Sequence, residues 1–436
     1  MIHSQNKMGN KKTERKTFAF LILVLLFALL LRIVFFSGIA ASDDLEYTHL
    51  AYQMSKNEFS FPATHHATRL GIIYPVSVLY RFFGVSEYSS VVFPLLVSIV
   101  GIVLIFYFGK LFFNEKVGLI AAFLLSFFPL DVALATKLLS DIPSAFFLSL
   151  SIFLFLFAEK HNKAKKLYLV SGISLGIAYM MRETALLGIL FFAAYAVFYR
   201  KLNKAHFLVA IGFLLIFFFE SYVFYAQTGD FFFRHNAVSS AYADAIEKAG
   251  SYRGTFPLSL FYYPYLIFTD NYFGIFYTFI IIAAVYSISN KKKGTYPFLL
   301  WFILLFLYLS FGTSSFSSYV PFAGAARYLS IVTIPALLLL AYFLSEKAEI
   351  IGRVLKPTII VLLLLTSLGF IYLDKNNRNS ADNLKIVYPE LKMLGKTVYS
   401  DPRSKLFIEY LSGYKNEVVD IMAYSIEESD RGTIHD

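Results

Sequence analysis

The cluster Ser42-Asp43-Asp44-Leu45-Glu46-Tyr47-Thr48-His49 follows directly on a long apolar run. Adjacent carboxylates repel each other, which raises one pKa unless a cation stands between them. Such a cluster can supply a general base or ligands for a divalent metal. It also fits a plainer role, with Asp43 capping a helix and the other acids in solvent. Asp141, in Ser140-Asp141-Ile142-Pro143, has the same two faces. Ser-Asp-x-Pro is a good helix start, and an acid at the edge of a membrane-length run is a candidate site residue.

Three arginines join these acids: Arg69, Arg182 in Met181-Arg182-Glu183, and Arg327 in Ala326-Arg327-Tyr328. Guanidinium suits phosphate or pyrophosphate. For Arg182 the competing reading is a local pair with Glu183, or snorkelling. His49, His65 and His66 offer nitrogen ligands, although His65-His66 has little specificity as a metal spacing and fits a surface loop equally. The candidate metal set is Asp43, Asp44 and His65, with a divalent ion as the candidate cofactor. The sequence has no zinc-protease, phosphate-loop or dinucleotide motif.

The elements that position these residues are set by hydropathy. The chain of 436 residues is 58% hydrophobic and only 16% charged, against about 25% in soluble domains. A helix crosses the hydrocarbon core with roughly 20 apolar residues. An all-α polytopic membrane protein follows, with about eleven spans at 17–37, 89–108, 117–136, 141–158, 167–181, 185–199, 206–225, 258–286, 296–311, 328–344 and 357–373. The fifth and sixth are short, and the eighth is long enough to begin as an interfacial helix. The basic start (Lys7, Lys11, Lys12, Arg15, Lys16) ahead of a run from Phe18 to Phe36 reads as a retained first span.

Every second loop is basic: Lys110/Lys116, Lys160/Lys163/Lys165/Lys166, Arg200/Lys201/Lys204, Lys291/Lys292/Lys293 and Lys347/Arg353/Lys356. Basic loops are cytoplasmic, so residues 1–16 are inside and the tail is outside. The other loops are mixed or acidic, with Asp43, Asp44, Glu46, Glu58 and Glu87 in the first and Asp131 and Asp141 in the second. The net charge of +10 belongs to this asymmetry, and no basic stripe on a soluble fold points to nucleic acid. Absence of cysteine excludes disulfides, thiolate metal sites and cysteine nucleophiles.

Three outer segments stand apart. In residues 38–88, Tyr47, Leu50, Ala51 and Met54 share one helical face and Ile72, Val76, Leu79 and Tyr80 another, as in helices lying along the interface. Residues 226–257 are polar and aromatic, a candidate flexible loop or lid. The tail, 374–436, reads as a small α/β-like segment, with strands at 397–400 and 417–421 and a helix at 403–412; residues 17–373 form the membrane domain.

From Asp43 to Leu187 the order of features resembles the GT-C superfamily of polyprenyl-phosphate-sugar-dependent glycosyltransferases. Within it, the branch with protein O-mannosyltransferases and the lipid A aminoarabinose transferase is the most similar. The resemblance runs through Asp43-Asp44, Arg69-Leu70-Gly71-Ile72-Ile73-Tyr74-Pro75, Phe106-Tyr107-Phe108-Gly109-Lys110, Phe128-Pro129-Leu130, Ser140-Asp141, Gly172, Gly176 and Arg182, with Arg327-Tyr328 and Pro335 later. It implies sugar transfer from a polyprenyl-phosphate-linked donor to a protein, lipid or glycan acceptor at the outer face, with inversion. A first-loop aspartate, Asp43 or Asp44 with Asp43 preferred, would be the base. Asp141 would position acceptor or metal. Glu46, Arg69, Arg182, Arg327 and Tyr328 would bind substrate, the last two arginines at the lipid phosphate. The sole tryptophan, Trp301, is in no tryptophan-aspartate motif, which argues against oligosaccharide transfer to asparagine. A lipid or solute transporter, or a non-catalytic prenyl-lipid scaffold, is the competing class, although no internal repeat of the transporter kind is present.

Overall fold

The computed structural model describes residues 2–161, 165–200, 203–249, 253, 257–313, 319–322, 324–346, 354–376, 380–394, 398–415 and 421–423. Lys163, Lys201, Lys347, Arg353, Thr397 and residues 417–420 lie outside them.

The chain is a multi-pass helical membrane protein. In order come α1 (Ile2–Val34), α2 (Asp43–Ser55), α3 (Leu70–Phe83), α4 (Glu87–Phe112), α5 (Glu115–Ser126), α6 (Pro129–Ala135), α7 (Asp141–His161), α8 (Lys165–Met181) and α9 (Leu187–Phe198). Then follow α10 (Phe207–Thr228), α11 (Phe233–Ala249), α12 (Tyr262–Thr269), α13 (Phe276–Ser289), α14 (Tyr296–Phe311), α15 (Ser330–Ser345) and α16 (Leu355–Asn376). The tail holds α17 (Ser380–Leu394), β1 (Val398–Ser400), α18 (Pro402–Leu411) and β2 (Ile421–Ala423), the two strands parallel.

Among the described residues, seven helices are long and apolar enough to cross a membrane, and eight if the bent pair α5–α6 counts as one. These account for eight of the eleven expected spans. The others are shorter helices: α8 has 17 residues, Glu183–Phe198 is short, and the expected span 258–286 is two helices, α12 and α13. The break between them contains Gly274 at φ +52°, a conformation glycine adopts freely. The α5–α6 bend is 57°, with Pro129 at the first turn of α6, where a missing N–H costs nothing.

Helix α15 is buried on nearly every face, as an all-round apolar helix must be, and it is the centre of the bundle. Helices α8 and α10 cross in close contact: a Cβ on Gly172 would meet Val209 O at 2.0 Å, and one on Gly212 would meet Leu169 O at 2.2 Å. Only glycine fits that crossing. One end of the bundle gathers the basic loops through Lys110–Glu115 at 2.8 Å, Lys292–Glu346 at 3.1 Å and Lys116 donating to Ser345 O at 3.4 Å. The candidate acids and arginines sit at the opposite end.

There α2 and α3 pair through the faces expected from sequence. Tyr47, Leu50, Ile72 and Val76 share one core with residues of the tail. The other face of α3 exposes Tyr74, Phe82 and Phe83 (63%, 79% and 75%).

Asp131, expected in an outer loop, is instead inside the bundle. The α5–α6 bend turns it toward α1, where the fully buried Arg32 donates to it, to Ser98 Oγ (2.9 Å), and to the carbonyls of Ala28 and Ser126 (3.0 Å each). A buried ion pair broken on one side costs about 3–5 kcal/mol, whereas an apolar replacement of both partners is often neutral. Arg32→Met should therefore destabilise the detergent-solubilised protein by about that amount, and Arg32→Met with Asp131→Leu should recover most of it. Equal thermal unfolding of the single variant and wild type would refute this role.

Candidate active site

The loop before α2 is wound around one carboxylate. Asp44 accepts from the backbone N–H groups of Ala40 (2.5 Å), Ser42 (2.7 Å) and Leu45 (2.9 Å). Ala41 between them takes a left-handed φ of 55°, which a residue with a Cβ holds only when its surroundings enforce it. Asp44 is buried, and burial pushes its carboxyl above the ordinary 3.8; repulsion from Asp43 adds to this and the backbone donors offset part of it. One residue earlier the chain points the other way. Asp43 accepts from Arg327 at 2.7 Å and lies 3.5 Å from His66 Nε2, with both Asp43 and Arg327 side chains 27% exposed. Burial acts to raise the Asp43 carboxyl, but His66 and Arg327 outweigh it and hold it well below 3.8.

A second pair lies behind the first. Arg182, at the end of α8, donates to Asp141, the first residue of α7, and its guanidinium lies 4.1 Å from the Tyr328 ring centroid. Asp141 Oδ2 and the neighbouring Ser140 Oγ are buried with no hydrogen-bond partner among the described residues. The competing reading, a local pair of Arg182 with Glu183, is not among the ion pairs of the described residues. Glu183 instead receives Arg69 at 3.4 Å and Arg234 at 3.0 Å. Burial works to raise Glu183, yet these two arginines bring it down to about 2. Arg69 also donates to the Tyr47 hydroxyl.

Arg234, at the start of α11, was not legible as a site residue. It donates to Glu220 (2.7 Å), to Thr68 O (3.2 Å) and to Tyr179 O (2.6 Å), so it fastens α11 to α8, α10 and the loop before α3. The available signal was Glu220, an acid inside an apolar run, which must have a partner.

Asp43, His66, Arg69, Asp141, Arg182, Arg327 and Tyr328 thus converge at one end of the bundle. Glu46 stands apart: among the described residues no hydrogen bond or ion pair joins its half-buried side chain to this cluster. The proposed metal set does not converge either. Asp44 faces backbone, and His65 stacks on His66 with ring centroids 3.8 Å apart. Among the described residues no three His, Asp or Glu side chains are grouped to hold a metal ion.

Residues 70–224 match the family of dolichyl-phosphate-mannose-protein mannosyltransferases. No curated protein matches the chain in sequence. In structure it is similar to ArnT from Cupriavidus metallidurans, with a TM-score of 0.65, 14% identity, and 89% of this chain and 83% of ArnT covered. It is also similar to the Archaeoglobus fulgidus oligosaccharyltransferase, with a TM-score of 0.60, 15% identity, and 91% of this chain covered. The chain spans 63% of that enzyme's length. At such identities the likeness is one of fold. Over residues 70–224 the chain is similar to that mannosyltransferase family, and it shares its membrane-domain fold with ArnT and the oligosaccharyltransferase.

The depressed Asp43 carboxyl contributes stability that is complete above the unfolded value of 3.8 and is lost only as pH falls below it. From about pH 5 to 8 the Asp43–Arg327 pair should stay charged. In a His66→Gln background, where no imidazole titrates beside Asp43, thermal unfolding with Asp43 and with Asp43→Asn across that range should differ by a constant offset; a pH step abolished by Asp43→Asn would contradict the assignment.

Proposed function

We propose that the chain is a membrane glycosyltransferase that moves a sugar from a polyprenyl-phosphate-linked donor to a protein, lipid or glycan acceptor at the extracytoplasmic face. The observation that carries this reading is the Asp43–Arg327 pair. A carboxylate and a guanidinium, 284 positions apart in sequence, meet part-exposed at the mouth of a buried acid–arginine cluster. The loop-charge asymmetry supports the orientation, with the N-terminus cytoplasmic and the tail outside. The same fold in ArnT has been seen with undecaprenyl phosphate, and in the archaeal oligosaccharyltransferase with an inhibitory peptide and dolichol-phosphate.

In this reaction an acceptor hydroxyl or amine attacks the anomeric carbon, and its proton passes to Asp43. The bond between that carbon and the phosphate oxygen breaks, and polyprenyl phosphate leaves with the electron pair. Attack from the face opposite the leaving group inverts the anomeric centre. Arg327 faces the charge that grows on the leaving phosphate, which is where a preorganised cation lowers the barrier. In the resting site Arg327 is engaged by Asp43, so an arriving phosphate would exchange with Asp43 and free the base. Arg182 reinforces the positive field from behind, and Asp141 Oδ2 is an acceptor for a sugar or acceptor hydroxyl. Asp44 holds the loop, and Arg69 holds Glu183 and Tyr47.

The test supplies purified protein with a panel of polyprenyl-phosphate sugars and measures free polyprenyl phosphate. Wild type should turn over at least one donor. Asp43→Asn should lose about 100-fold or more, the usual contribution of a general base, and Asp44→Asn should lose far less. Unchanged turnover in Asp43→Asn would remove it as the base, and lipid movement without release would favour a flippase.

A further inference from the structure

The tail looks in sequence like an appendage, but its side chains reach the helix that carries Asp43. We infer that α18 and the turn after it form a positioning element of the active site, with Tyr414 as its principal positioning residue; this rests on the reaction proposed above.

Three connections lead from the tail to this corner of the fold: one to α2, one to α4 and α3, and one to the loop before α2. Thr48 of α2 donates its hydroxyl to Leu45 O (2.7 Å), so the Tyr414 hydroxyl, 2.8 Å from Thr48 Oγ1, is the donor in that contact. The Tyr414 ring also stacks on Tyr52, with centroids 4.5 Å apart and planes at 22°. In the second connection, Ser90 of α4 donates to Ser86 O, leaving its oxygen to accept from Tyr80 (2.6 Å) and from Tyr410 of α18 (3.0 Å). In the third, Lys385 of α17 lies 2.5 Å from Glu87, whose same oxygen accepts the backbone N–H of Ile39 at 3.1 Å. Ile39 belongs to the loop that Asp44 winds up. The far end of α2 is held separately by Arg81 on the carbonyls of Met54 and Ser55.

The backbone at Tyr414 strengthens the inference. Its φ is +56°, directly after Gly413 at +71°, and its N–H donates to Glu409 O at 2.7 Å. A bulky side chain in the left-handed region is a marked departure from normal backbone, and it persists where tertiary contacts enforce it. Here the enforced conformation delivers the ring to Tyr52 and the hydroxyl to Thr48. Thr48 lies five positions along α2 from Asp43, about 7.5 Å at the helical rise. Small displacements of a reacting group are costly in rate, so the contact is close enough to set where Asp43 stands relative to Arg327.

The test uses the full chain. Tyr414→Phe keeps the ring stack and removes the hydroxyl, and Thr48→Val removes its partner. Each should lower kcat by about 3- to 10-fold through displacement of Asp43, with donor KM unchanged and the thermal midpoint lowered only by the few degrees that one buried hydrogen bond supports. The double variant should be no worse than the lower single, since both remove one bond. Hydrogen exchange of the α2 amides should accelerate in each variant while that of α15 does not. Wild-type kcat and α2 exchange in both single variants would overturn the inference, as would a double variant equal to the product of the singles. If wild type turns over no donor, the glycosyltransfer reading fails by itself. In that case α2 exchange alone decides whether Tyr414 holds the helix.

Discussion

An arginine buried in a membrane domain must be given a carboxylate or a set of carbonyl acceptors, because the desolvation of a lone charge is far too costly to sustain. That constraint organises this molecule. Arg32 is paired with Asp131, Arg182 with Asp141, Arg69 with Glu183, and Arg234 with both Glu183 and Glu220. The partners come from different helices or loops, so each pair fixes a register that apolar packing alone leaves loose. Among the described arginine pairs, Asp43–Arg327 is the most exposed; Arg182–Asp141 and Arg234–Glu220 are nearly dry, and the pairs on Glu183 lie between. The buried pairs build a rigid rear wall, and the exposed pair is where charge can be exchanged with a ligand.

Neighbours in sequence have opposite fates here. Asp43 faces Arg327 while Asp44 is enclosed by backbone N–H groups; Arg182 turns to Asp141 while Glu183 turns to Arg69 and Arg234. The sequence marks the places well: the acid cluster after the first span, the acid that opens α7, and the arginines at 182 and 327 all reach one end of the bundle. It does not say which of two adjacent acids faces inward. That depends on the helix phase, and the phase of α2 is set by the Ala41 turn and by the contact of Thr48 with Tyr414, 366 positions away.

What sequence reading misses follows the same logic. Arg32 sits in an unbroken apolar run and looks like a snorkelling end residue until the α5–α6 bend brings Asp131 to it. Arg234 lies in a polar stretch that looks like a loop, and its importance comes from Glu220 across the turn at Gly229. Hydropathy is blind to both, because it averages over the positions where a single charge decides the packing. The span count suffers for a related reason. Apolar length alone merges α12 and α13 into one long helix, although Asp270-Asn271 and Gly274 at the break are turn residues.

Arg182 and Arg327 both stand at irregular backbone. Arg182 immediately precedes the 3-10 turn Glu183–Leu186, and Arg327 lies inside the 3-10 turn Ala326–Leu329 that leads into α15. Non-helical backbone at a membrane domain is tolerated where it is buried in protein or borders a polar cavity. These turns meet that condition, because the arginines they carry face carboxylates. The arrangement also separates two demands. The buried helix α15 supplies stiffness, and the turn at its head aims a guanidinium at Asp43 across the mouth. Under the proposed reaction, a donor phosphate gains Arg327 only by displacing Asp43. Part of its binding energy is then spent on baring the base, so the base is exposed when the donor is in place and shielded when it is absent. That coupling needs no moving domain; it needs a weak outer pair in front of strong inner ones, which is the gradient of burial these arginines display.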